Sequence, residues 1–177
     1  AIAGGAGTIG GTITANHLTW GVGASTIGNF VDAFTENNSI WIGADPSSTT
    51  DDAYYNNALG VGALDAITTG DYNNAFGYNA MSNTTTGYRN EAHGYGALIT
   101  NVDGYANVAM GMETLFYYDK PIQNVAIGYN AMMGYSSAES TQPTGNTAIG
   151  TYANMRPTGN YNTAVGENAM QGETTTR

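Results

Sequence analysis

The sequence predicts an all-β fold, a repeat β-solenoid or β-roll wound from seventeen-residue coils. Three observations lead there. Glycines recur at a fixed interval, each stands in the same short apolar motif, and turn-forming residues separate one motif from the next.

The repeat glycines are Gly43, Gly60, Gly77, Gly94, Gly111, Gly128, Gly150 and Gly166, spaced by 17, 17, 17, 17, 17, 22 and 16 residues. Counted from each glycine, position −4 holds Asn56, Asn73, Asn90, Asn107, Asn124, Asn146 and Asn162. Position −2 holds Ala58, Ala75, Ala92, Ala109, Ala126, Ala148 and Ala164. Position −1 is apolar except at His93. Positions +3 and +4 hold Ala63-Leu64, Ala80-Met81, Ala97-Leu98, Thr114-Leu115, Ala131-Met132, Ala153-Asn154 and Ala169-Met170. The consensus is N-x-A-h-G-x-x-A-h, with h apolar, in seven clear copies and a partial eighth at 38–43. Glycine at one fixed place points to positive φ or to close backbone approach.

Two periods make thirty-four residues, the length of one helical-hairpin repeat, but the composition opposes helix. Each period carries Gly, Asn and Thr, all weak helix formers. Thr68-Thr69-Gly70-Asp71, Thr85-Thr86-Gly87-Tyr88 and Thr158-Gly159-Asn160 read as turns. Each period is therefore expected to form one coil of two short strands and two turns.

Residues 38–172 are expected to be solenoid, with five extra residues bulging as a loop near 135–144. Residues 1–37 read as an irregular Gly-rich segment, with Thr8-Ile9-Gly10 and Thr26-Ile27-Gly28 as degenerate coils, and residues 173–177 as a tail. Ala1-Ile2-Ala3-Gly4-Gly5 carries neither an initiator Met nor a basic segment, so the chain reads as an excerpt of a longer protein.

The apolar pairs bear on assembly. Neighbouring residues of a strand point to opposite faces. The pairs before and after the glycine are both read as lying in strands, so each strand needs cover on both faces, and a thin coil covers only its inside. An identical chain is the natural second cover, which predicts a cyclic oligomer without specifying its number. On that reading, overpacking the alanine column, as in Ala126→Leu, is expected to disturb assembly.

Composition narrows the function classes. Only 10% of the 177 residues are charged, against about 25% in an ordinary domain. The net charge is −10, and the four basic residues are Arg89, Lys120, Arg156 and Arg177. So few cations argue against phosphate binding, and hence against nucleic-acid partners. The same charge disfavours anionic membrane surfaces, and no apolar run is long enough for insertion. With no cysteine there is no thiol chemistry or thiolate metal site.

Asn146-Thr147-Ala148-Ile149-Gly150 and Asn162-Thr163-Ala164-Val165-Gly166-Glu167-Asn168-Ala169-Met170 resemble the repeats of bacteriophage tail fibres. The shared A-h-G-x-x-A core is also similar to the head repeat of trimeric autotransporter adhesins. The resemblance spans about residues 38–170. It implies an intertwined or side-by-side homotrimer of left-handed β-rolls on a virion tail, outside the cell, with other tail proteins and host-surface polysaccharide as partners. An adhesin head on a bacterial surface and a glycan-depolymerising tailspike are the alternatives. Neither family carries fixed catalytic residues in this repeat, so no enzyme activity and no cofactor are implied. The adhesin period is usually shorter than seventeen residues, and Val108, Val125 and His93 depart from the common pattern.

Candidate site residues follow from the columns. The seven asparagines are expected to form an amide ladder from coil to coil, with a ligand or ion site as the other reading. Tyr78, Tyr95 and Tyr129 share position +1, Tyr55, Tyr72 and Tyr161 share −5, and Tyr54, Tyr88 and Tyr105 share −6. Tyr55, Tyr72, Tyr78, Tyr95 and Tyr129 are the candidate glycan-binding residues, because a tyrosine ring offers an apolar face and a hydroxyl. Packing in the grooves between chains is the plainer role. Asp51, Asp52, Asp71 and Asp103 have no calcium-loop spacing and no paired arrangement for glycoside hydrolysis. His93 is expected to be a satisfied core histidine, and His17 carries no signal. The early Gly-Gly-Ala-Gly lacks the following Lys of a phosphate loop.

Overall fold

The computed structural model describes residues 33–43, 52–134, 142–157 and 159–171. Among the described residues nine strands form one sheet in chain order: β1 (Ala33–Glu36), β2 (Ser39–Ile42), β3 (Asn57–Leu59), β4 (Asn74–Phe76), β5 (Glu91–His93), β6 (Val108–Met110), β7 (Val125–Ile127), β8 (Thr147–Ile149) and β9 (Thr163–Val165). From β2 to β9 every pairing is parallel, and each joins the same position of successive coils, as in Ala75↔Ala92 and Ala92↔Ala109. The fold is a β-solenoid with coils of about seventeen residues.

Within each strand from β3 to β9 the middle alanine points inward and its neighbours point outward. Ala75, Ala92, Ala109, Ala126 and Ala148 are fully buried, while Leu59, Phe76, Met110, Ile149 and Val165 are exposed. The alanine column thus faces the interior of its own coil. Ala126→Leu would overpack the coil itself, which corrects the expectation that this column packs against another chain.

After the strand, the repeat glycine turns a corner. From Gly60 to Gly166 its φ lies between 121° and 142°, a region open to glycine. Its N–H donates to the −1 carbonyl of the coil below, as from Gly94 to Phe76 at 2.8 Å. A Cβ on Gly94 would stand 2.5 Å from the Gly111 carbonyl oxygen. Conformation and close stacking both require glycine here.

The second apolar pair behaves differently from expectation. Position +4 is left-handed throughout, with φ from 43° to 54°, and most of these residues are Leu or Met. Left-handed backbone costs such a residue about 1–2 kcal/mol. Full burial of a Leu or Met side chain contributes about 1.5–3 kcal/mol, so burial wins. Leu64, Met81, Leu98, Leu115 and Met132 are all fully buried beside Ala63, Ala80, Ala97, Thr114 and Ala131. The left-handed residue directs both members of the pair inward. A two-face argument therefore holds only for the strand before the glycine.

Each coil holds one strand, not two. The second stretch is hydrogen-bonded turn, with isolated parallel bridges linking Tyr88, Tyr105, Ile122 and Thr144. His93 is also misplaced by the sequence reading. Its column is the outer face, its side chain is 41% exposed, and it lies 3.7 Å from Glu91 Oε2.

The first coil is closed by a hairpin. Strand β1, within the segment expected to be irregular, pairs antiparallel with β2 through Asn37-Asn38, whose φ values are 50° and 59°. Two successive left-handed residues make the type I′ turn that suits a two-residue hairpin. The hairpin covers the edge that a first parallel strand would leave open. Trp41 replaces the column alanine and is fully buried at this end. Across the five extra residues β7 and β8 stay in register, Val125 opposite Thr147. The degenerate coils, residues 135–141 of the expected loop and the 173–177 tail lie outside the described residues.

Gly94→Ala is expected to destabilise the fold by about 1–3 kcal/mol through overpacking, with backbone strain in addition. Gly159→Ala should be near neutral, because among the described residues its Cβ would meet nothing closer than Asn162 at 3.5 Å. Urea denaturation followed by circular dichroism distinguishes the two.

Candidate functional site

The interior is organised by the asparagine column. Asn73 donates from its backbone N–H (2.9 Å) and its Nδ2 (3.1 Å) to the Oδ1 of Asn56. The same pair of bonds climbs through Asn90, Asn107, Asn124, Asn146 and Asn162, with the Nδ2 bond of Asn146 longest at 3.4 Å. From Asn56 to Asn124, Nδ2 also donates to a carbonyl of the next turn: Gly70, Gly87, Gly104, Pro121 and Pro143, at 2.7–2.9 Å. From Asn56 to Asn124 these amides are fully buried, and each side-chain oxygen and nitrogen has a partner. That occupancy leaves a ligand or ion little to bind. Ser39 takes the asparagine place in β2, and its Oγ accepts the Asn56 N–H at 2.8 Å, so the ladder starts on a hydroxyl.

A shorter ladder runs outside. Asn57 Nδ2 donates to Asn74 Oδ1 at 2.7 Å, and Asn74 Nδ2 donates to Glu91 Oε1 at 2.6 Å. Above it position −3 changes character, to Val108 and Val125. With the −1 residues Met110, Ile127, Ile149 and Val165, the outer face of β6–β9 is dominated by aliphatic side chains. Val61 and Met112 at position +1 extend apolar surface beyond the glycine corner.

The five candidate glycan residues divide between two corners. Tyr55 and Tyr72 stand before the strand, and Tyr78, Tyr95 and Tyr129 stand after the glycine. Tyr55 and Tyr72 stack with centroids 4.9 Å apart and planes 8° from parallel. Tyr78 and Tyr95 stack at 5.6 Å and 10°. Within such pairs one face of each ring is covered by the other, and the rest of the ring is half exposed. Tyr129 stands edge-on to Tyr152 at 5.3 Å and 84°. Its hydrogen bond raises the Tyr152 phenol above the usual tyrosine range.

The first corner carries groups that the sequence reading left apart. Tyr88 and Tyr105 stack at 4.8 Å and 5° in column −6, next to the column of Tyr55 and Tyr72. Asp71 and Arg89 stand among them. The columns are visible in the sequence; their meeting with Asp71 and Arg89 at one corner is not. Elsewhere, Asp103 pairs with Lys120 at 3.1 Å, and that hydrogen bond raises the lysine pKa above its usual value. Asp52 is exposed and Asp51 lies outside the described residues. Among the described residues no three His, Cys, Asp or Glu side chains gather to hold a metal.

Scans against protein-family models, the curated proteins and the solved structures found no match.

Asn107→Ala would leave the buried Asn124 N–H without its acceptor, while the Pro121 carbonyl keeps the Tyr105 N–H. At about 1–3 kcal/mol for an unsatisfied buried group, a loss of about 1–3 kcal/mol is expected in chemical denaturation. Asn57→Ala, on the exposed ladder, should cost less than about 1 kcal/mol.

Proposed function

We propose that this chain is a segment of a homotrimeric phage tail fibre, projecting from the virion and contacting host-surface polysaccharide. The observation that carries the proposal is the outer face of the sheet. Met110, Ile149 and Val165 are exposed in one row with Ile127, and Val108 and Val125 stand beside them. Exposed apolar surface arranged in a continuous patch marks an interaction site.

The repeat supplies the partner. A row with one side chain per coil rises at the strand spacing of about 4.8 Å. A second copy of the chain has the same rise, so its side chains can meet the row coil after coil. Closed symmetry satisfies every copy equally. The resemblance of the N-x-A-h-G-x-x-A-h motif to tail-fibre repeats supports three copies and a virion setting. Such a shaft has work to do that needs no catalytic group: it projects a surface and resists unfolding. Weak contacts to a repeating glycan would then add through multivalency.

Light scattering should give a particle of three chain masses; a stable monomer would sink the proposal. Ile127→Asp should weaken assembly strongly. It removes about 1.5–3 kcal/mol of apolar burial per chain and places an unpaired charge in the contact. The side chain points away from the coil interior, so circular dichroism of the coil should change little.

A further inference from the structure

We propose that the corner from Tyr54 to Tyr105 is a binding site for a neutral polysaccharide, held along the coil axis by tyrosine edges and hydroxyls and by Asp71 and Arg89. The inference rests on the polysaccharide contact proposed above, and gives it a place and a ligand class.

Four coils supply the corner. Tyr54 and Tyr55 lie in the first, with ring centroids 6.3 Å apart. Asp71 and Tyr72 lie in the second, Tyr88 and Arg89 in the third, and Tyr105 in the fourth. Tyr55 is left-handed at φ 58°, Tyr72 at 58° and Arg89 at 55°, which turns this column out of the coil. Tyr54, Tyr55, Tyr72, Tyr88 and Arg89 are all exposed. The five tyrosines provide a row of hydroxyls that both donate and accept.

The charged pair completes the set. Asp71 Oδ1 accepts the Tyr54 N–H at 2.8 Å, which orients the carboxylate and leaves Oδ2 as an acceptor. The Arg89 N–H donates to the Asp71 carbonyl at 2.9 Å, fixing one charged residue a coil above the other. The Arg89 guanidinium lies over the Tyr88 ring, 5.9 Å from its centroid. No ion pair to Arg89 is found among the described residues. The corner therefore offers a carboxylate acceptor on one coil and a fork of donors on the next, the hydrogen-bonding groups that sugar hydroxyls need.

The rings are already ordered. Stacking holds Tyr55 against Tyr72 and Tyr88 against Tyr105, so ligand binding freezes few side-chain rotations. Tyrosine gives wide amphipathic contact at low entropic cost. Charge decides the class of glycan. A chain of net charge −10 repels a polyanion, and Asp71 would face any ligand carboxylate. The second corner, with Val61 and Met112 flanking Tyr78 and Tyr95 in column +1, lacks such a donor and acceptor pair and suits chain contact instead.

Calorimetric titration of the full chain with maltohexaose, cellohexaose, mannohexaose and hexagalacturonate tests the site. At least one neutral hexaose should bind, with little response to added salt. Arg89→Ala and Tyr72→Ala should each weaken it about tenfold, the loss of one hydrogen bond to a charged group or its equivalent in contact. Tyr72→Phe, which keeps the ring, should weaken it less and guards against misfolding of the alanine variant. Tyr95→Ala should leave binding unchanged. Binding of none of the neutral hexaoses, preference for hexagalacturonate, or loss through Tyr95 in place of Tyr72 would overturn the inference. Light scattering on the same samples separates the two proposals. A trimer that binds no neutral hexaose overturns this site alone, and a monomer that binds one overturns the fibre.

Discussion

Equivalent residues of successive coils stand directly above one another at one strand spacing, and the remaining structure follows from that. The stacking is held by two residue types. The asparagine amide joins successive coils, its Oδ1 accepting from the next asparagine and its Nδ2 donating to a carbonyl of the next turn. The glycine lets backbones approach where any Cβ would collide with the next carbonyl. Neither works alone. The amide needs the short spacing to reach its neighbour, and the spacing needs a side chain that satisfies buried polar groups along its whole length.

This constraint is strict inside and permissive outside. Interior columns repeat Ala, Asn and large apolar residues because a coil of about seventeen residues encloses only a few side chains. The chain even accepts left-handed backbone at Leu64, Met81, Leu98, Leu115 and Met132 to bring them in. Exterior columns carry no such demand. Position −3 runs from Asn57 and Asn74 through Glu91 to Val108 and Val125, and position −5 from tyrosine through Arg89 to Ala106. Outer chemistry can therefore differ from coil to coil on an unchanged scaffold.

That freedom gives the two outer regions separate roles in the proposed fibre. The aliphatic face of β6–β9 fits a second copy of the same repeat. The tyrosine corner of the earlier coils fits a hydroxylated ligand, because its charged pair and stacked rings are ordered before any ligand arrives. A solenoid with one regular interior can so divide assembly from recognition along its length.

The sequence by itself determined the period, the stacking columns and the need for glycine, since each repeats with the coil and is read as a pattern. It also singled out the asparagines, though not the carbonyls of Gly70, Gly87, Gly104, Pro121 and Pro143 that take their second hydrogen bond. Apolar identity could not say which way a side chain points. Met81 and Phe76 are both apolar, yet Met81 is buried by a left-handed turn and Phe76 is turned out by the strand. For the same reason His93 read as core. Only the tertiary structure decided these directions, and only it brought Asp71 and Arg89 to the tyrosine corner. Side-chain direction depends on backbone φ at each position, and proximity between residues of different coils depends on the winding.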